Sequence, residues 1–255
     1  MGVFELGGFL LGPVLASLLE RIWGLRAPFA VLAALLIAVA PFALAAELPN
    51  TAVARERSIL RGLLARRSVR ASLLAGLAFY LTVGVFEATW AILLADRGAS
   101  QLFIGATLSL FSAPMLLVPL FAGRLAQRIG PMRVMLASIE TAITCMIGYG
   151  LFAQLALLAV AVAVHSIADA FTMPANQLAI ARASPPGQIA SGQGLLGAVG
   201  LATAAATAAL SGWIYGEGGP LVLYCGTAAL MSALLGGAWA LGRELRSGPT
   251  ESGSV

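Results

Sequence analysis

The hydrophobic pattern of this chain is neither the two-residue alternation of a half-buried strand nor the one-sided stripe of a soluble helix. Apolar residues continue for about 20 positions at a time, the length that a helix needs to cross a bilayer core. Eight such runs can be marked off, at residues 3–20, 28–46, 72–95, 101–122, 134–152, 155–179, 189–213 and 220–241. Inside lipid the backbone must satisfy its own hydrogen bonds, so runs of this length are read as helices. The expected fold class is all-α, a polytopic membrane protein with eight transmembrane helices. Most connections are short: RIWGLRA, DRGAS, GEGG and the basic stretch GRLAQRIGPMR at 123–133. Residues 47–71 are the exception, a long linker with six arginines and two glutamates. Residues 243–255 are expected to form a disordered cytoplasmic tail, whose end SGPTESGSV is small and polar with nothing to bury.

Composition strengthens the membrane reading. Of the 255 residues 60% are apolar and 10% charged, with mean hydropathy +0.94, too few charges to cover a soluble surface of this size. Met1 is followed by Glu5 and by no basic region, so no cleavable signal peptide is expected. Cys145 and Cys225 both sit in apolar runs, which gives no sign of a disulfide framework. All fifteen basic residues are arginine. With residues 47–71 on the cytoplasmic side, alternate loops follow and the arginines split twelve against three. The positive-inside rule then places both termini in the cytoplasm, in the cell inner (plasma) membrane. Clustering at helix ends accounts for the net charge of +4 without a nucleic-acid partner.

Two helices, a basic linker and six further helices resemble a major facilitator superfamily transporter, of the drug/proton-antiporter-like kind, lacking its first four helices. Three stretches carry the resemblance. In 123–133, Gly123, Arg128, Gly130 and Arg133 match the family's cytoplasmic loop signature, with Gln127 where the signature has an acid. GGFLLGPVLAS, residues 7–17, is similar to the antiporter motif of the family's fifth helix through Gly8, Gly12 and Pro13. FEATWAILLADRGAS, residues 86–100, looks like the seventh-helix region of proton-linked efflux relatives. The resemblance implies that residues 1–46 are the remnant of an N-terminal half, 47–71 the central linker and 72–242 a complete C-terminal half. It also implies a gating role for the 123–133 loop, and a missing four-helix segment or a second subunit as partner.

The residues themselves carry further expectations. Gly123 would let two helix ends approach and Gly130 would permit a turn that a side chain strains, while Gly8, Gly12 and Pro13 suit a closely packed, bent helix. A charge deep in a span is costly and usually faces a cavity or a partner. Glu87, Glu140, His165 and Asp169 are such groups. His165, Asp169, Thr172 and Asn176 fall on one helix face, and His165 and Asp169 are one turn apart, placed as a relay or a staple. Tyr80, Gly84, Glu87 and Trp90 are expected to combine an acid with aromatic surface, suited to a partly apolar cation. Glu87 is the first candidate for proton coupling, and Glu140 is expected to pair with loop arginines.

No Gly-Lys-Ser/Thr phosphate loop, HExxH, paired CxxC or usable nucleophile triad occurs in the sequence. An enzyme is not expected, nor is a cofactor or a metal site. The expected function is secondary transport, proton-coupled efflux of a small amphipathic molecule, with protons and the lipid bilayer as the other partners. A sugar or metabolite carrier, or a non-transporting scaffold, is the alternative.

Overall fold

The computed structural model describes residues 19, 22–24, 26–45 and 53–246. The first expected span, with Gly8, Gly12 and Pro13, lies outside the described residues except for Leu19. The chain divides into two compact units, residues 1–53 and 54–255. The first contains α1 (Ala27–Ala45), an apolar helix with Pro41 inside it, on the second expected span.

The second unit is built on six long helical passages. α2 (Val53–Ala65) leads into α3 (Arg67–Asp96). The stretch read as a linker is therefore largely helical: arginine is a good helix former, and Ile59, Leu60, Leu63 and Leu64 recur at helical spacing. The next passage is broken by two prolines into α4 (Gln101–Ser112), α5 (Pro114–Leu117) and α6 (Pro119–Ile129), with a bend of 54°. Each proline removes a backbone donor and crowds the preceding turn. α7 (Pro131–Leu151) and α8 (Leu155–Ala183) follow as continuous rods.

α9 (Ile189–Leu241) has 53 residues and is interrupted at Gly219, whose φ of 73° no helix contains. Pro220 directly follows. Two sets of contacts show a hairpin. Along the first arm, residues 189–218, Leu196, Gly200 and Ala204 meet Gly76, Tyr80 and Gly84 of α3, so the two run parallel. Along the second arm, residues 220–241, Tyr224 bonds Thr89 and Gly237 meets Leu74, in descending order. A straight rod could not touch one helix in both directions.

The turns explain themselves locally. Gly98 at φ 77° ends α3, and Ser100 accepts from the Phe103 N–H at 3.3 Å to cap α4. At 123–133 the turn is confined to Gly130, at φ 97°. Gly123 lies inside α6, with open space where a Cβ would stand, so the expected close approach there is absent. Residues 119–129 stay helical because nothing after Pro119 interrupts them. At the end of α9, Arg243–Leu245 form a 3-10 turn with Leu245 buried, and the Arg246 guanidinium lies 3.8 Å over the Trp239 ring. The first residues of the expected disordered tail are thus held by packing.

Arg61, Arg66, Arg67 and Arg70 gather where α2 meets α3, with Arg124, Arg128, Arg133, Arg182 and Arg243 at the same end of the unit. Contacts between these passages, Leu63 with Ile180 and Gly242 with Met132, join them there. Arg97 stands at the opposite end.

Candidate functional site

The α3–α9 crossing determines how closely the site helices pack. A Cβ on Gly84 would meet the Ala204 carbonyl oxygen and stand 2.9 Å from Thr207 Cβ. On Gly76 it would stand 2.7 Å from Leu196 and 2.8 Å from the Asn176 amide. Gly200 accommodates the half-buried Tyr80 ring. Gly76 and Gly84 on α3, and Gly200 and Ala204 on α9, let the backbones approach, as is usual where helices pack without a hydrophobic drive from lipid. Gly194 and Gly197, on the same arm of α9, have nothing within 4 Å in that position.

Behind this crossing, α8 lays its polar residues inward. His165, Asp169, Thr172 and Asn176 are each at most 3% exposed, so the stripe seen in the sequence is the buried seam of the six-helix unit. His165 Nδ1 is 3.0 Å from the Tyr149 hydroxyl on α7, and His165 Nε2 is 3.5 Å from Asp169 Oδ2. Nε2 and Asp169 Oδ1 have no hydrogen-bond partner. Phe86 and Phe111 present ring edges to the imidazole, at 6.2 and 5.7 Å between centroids. Toward the arginine-rich end, Thr172 donates to Ser138 Oγ at 2.7 Å, while Asn176, with its amide turned to satisfy both groups, donates to Ser72 Oγ at 2.8 Å.

The α3 residues are distributed differently from the sequence expectation. Trp90 is 1% exposed, stacks on Phe86 and donates its indole N–H to Thr107 at 3.0 Å. Its surface belongs to the core and is not offered beside Glu87. Glu87 itself is exposed on the surface of the six-helix unit. Its chain neighbour Phe86 faces His165, so α3 separates Glu87 from the buried cluster. Glu140 is exposed too and makes no ion pair among the described residues, so the expected partnership with the loop arginines is not formed. Arg128 and Arg133 are exposed at the arginine-rich end, while Arg182 reaches the Gln127 carbonyl at 3.4 Å.

Sequence reading missed Tyr149 and Tyr224. Their rings pack at 5.6 Å, and the Tyr224 hydroxyl is 3.0 Å from that of Thr89. The flanking Gly148 and Gly150 were the available signal; a Cβ on Gly150 would already lie 3.3 Å from Cys225 Sγ and 3.4 Å from the Leu221 backbone.

A groove of about 790 Å³ opens between α3 and the two arms of α9, lined by Leu81, Thr203, Thr207, Ser211 and Thr227 among others. It contains none of the ionisable candidates. Each of these four hydroxyls donates to the carbonyl four residues earlier, at 2.6–2.8 Å. The groove, otherwise lined by apolar residues, therefore presents methyl and methylene surface even at its hydroxyl-bearing positions.

No metal-holding group of His, Cys, Asp or Glu occurs among the described residues. No curated protein matches the chain. A family model described as Major Facilitator Superfamily matches residues 71–254, which covers all six passages of the second unit; the chain belongs to that superfamily of membrane transporters.

Proposed function

We propose that this transporter exports a small amphipathic molecule in exchange for protons, by alternating access, with the arginine-rich end of its six-helix unit in the cytoplasm of a cell inner membrane. The Tyr149–His165–Asp169 chain carries the reading. A purely structural staple satisfies its polar atoms, because an unpaired group in low dielectric is costly. Here the imidazole Nε2 has only the long 3.5 Å contact to Asp169 Oδ2, and Asp169 Oδ1 has no hydrogen-bond partner, midway along a membrane helix. That is the arrangement a proton site needs: a lone pair ready to accept, and a neighbour to share the charge.

Glu87 is the second acid of the proposal. An exposed carboxylate in an apolar span is tenable beside water or other helices, not beside acyl chains. Its face of α3 is accordingly the one turned toward the substrate pathway and toward a companion set of helices, in the same polypeptide or in a second subunit. Tyr80, one turn before Gly84 on that stripe, and Asn176, beside Gly76, line the crossing that would rock. The exposed Arg128 and Arg133, turned by Gly130, are placed to make and break contacts at the cytoplasmic face. The groove between α3 and α9 supplies apolar surface for the apolar part of the cargo.

The test is proton flux in vesicles. Protein reconstituted with a trapped pH-sensitive dye is challenged with a panel of amphipathic cations. Wild type should show substrate-driven proton movement, and Asp169→Asn should lose it while still binding the active compound. Unchanged flux in Asp169→Asn would overturn the proton role of the pair. Glu87→Gln is measured separately, and full coupling in that variant removes Glu87 alone.

A further inference from the structure

The arginine-rich end holds a feature that transport does not use. α2 and α3 meet in an elbow at Arg66, whose backbone is extended (φ −79°, ψ 129°). One face of α2 is pinned: Leu63 is fully buried in a cluster with Val69, Leu73, Ile180, Ala183 and Leu196, and Ile59 packs on it one turn earlier. The other face is left open. Leu60 and Leu64, one turn apart, are 39% and 45% exposed. Beside them Arg61, Arg66, Arg67 and Arg70 are all exposed, and none has a carboxylate within 4.0 Å among the described residues. Four exposed guanidinium groups within ten residues make a dense positive patch beside the two leucines.

The elbow is continuous with α3, a helix that crosses the membrane, so it stands at the bilayer surface. A helix edge with two open leucines flanked by unpaired arginines has the chemistry of the headgroup boundary: leucine side chains reach toward acyl chains while guanidinium forks take phosphate oxygens in pairs. We infer that the α2–α3 elbow is a binding site for anionic phospholipid, with Arg61, Arg66, Arg67 and Arg70 on the headgroup and Leu60 and Leu64 against the upper acyl carbons. The site is distinct from the buried pair on α8 and does not depend on what the transporter carries.

Native mass spectrometry of the full chain in detergent, titrated with phosphatidylglycerol or phosphatidylcholine of matched acyl chains, reads the site directly. Each arginine near an anionic surface adds to the attraction, so wild type should prefer phosphatidylglycerol by at least about tenfold. R61Q/R66Q/R67Q/R70Q should lose most of that preference. R124Q/R128Q/R133Q, which removes three exposed arginines at the same end, should keep it. Equal affinity of wild type for the two lipids overturns the proposal and means that something other than the bilayer covers the elbow. So does an equal loss in both variants, which would reduce the effect to the general charge of that end. Should the quadruple variant fail to fold, a spin label at Leu64→Cys in otherwise unaltered elbow sequence decides. Its accessibility to oxygen should rise in nanodiscs containing phosphatidylglycerol relative to phosphatidylcholine alone, and no change overturns the site.

Discussion

Gly84→Ala adds a single methyl group, at the point where α3 and the first arm of α9 approach most closely. The new carbon would overlap the Ala204 carbonyl oxygen, which belongs to helix backbone and cannot swing aside, and would stand 2.9 Å from Thr207 Cβ. Overpacking of this kind costs about 1–3 kcal/mol. Replacing a mid-helix glycine by alanine returns roughly 1 kcal/mol through backbone entropy. The net expectation is a loss of up to about 2 kcal/mol, which for a domain near this size lowers the unfolding midpoint by up to roughly 8 °C. Gly194→Ala and Gly197→Ala receive the same entropic gain and meet nothing within 4 Å. Their midpoints should hold or rise by up to about 4 °C. Thermal unfolding of the three purified variants in one detergent measures the contrast. A Gly84→Ala midpoint at or above those of the two controls would refute the close crossing, and with it the packing that carries Tyr80 onto Gly200.

Other substitutions test separate parts of the structure. Tyr224→Phe removes the hydroxyl paired with Thr89 at 3.0 Å and should cost about 1 kcal/mol, seen as a lower unfolding midpoint with unchanged helix content. Trp90→Phe removes the indole N–H that donates to Thr107, leaves that hydroxyl only its bond to the Ile104 carbonyl, and thins the stack on Phe86, so it should cost more than Tyr224→Phe in the same assay. Gly130→Ala forces a side chain onto a backbone at φ 97°, with an expected loss of about 1–3 kcal/mol, whereas Gly123→Ala, inside α6 with open space around it, should be silent or slightly stabilising. Tyr215→Phe removes the 2.7 Å bond from its hydroxyl to Asp96 at the far end of the bundle; the pair is exposed, so the midpoint should move by less than about 1 kcal/mol equivalent.

How much of this was legible beforehand differs from residue to residue. The α8 stripe could be read because His165, Asp169, Thr172 and Asn176 share a face by helical geometry alone, and burial then follows from their polarity in lipid. Trp90 and Glu87 could not be separated in the same way. They are three residues apart, close enough in angle to count as one face, yet the edge of the packed core falls between them. Where that edge lies depends on Phe111, Tyr149 and Thr107, residues far away along the chain. Glycines behave similarly: Gly84 and Gly200 make the crossing, while Gly194, Gly197 and Gly123 have equal sequence claims and no neighbour.

The sequence by itself determined that the chain is helical, that it lies in membrane, where its long apolar passages run and which ends collect the arginines. Each of those follows from run length and local charge, quantities that a one-dimensional pattern contains. Only the tertiary structure decided that both arms of the final hairpin pack along α3, that the linker is an elbow pinned by Leu63, and that Asp169 is enclosed while Glu87 is open. Those are properties of which helix face meets which neighbour. In a bundle whose every face is apolar, close backbone approach and a few buried hydrogen bonds select the neighbour, because hydrophobicity is the same on all sides.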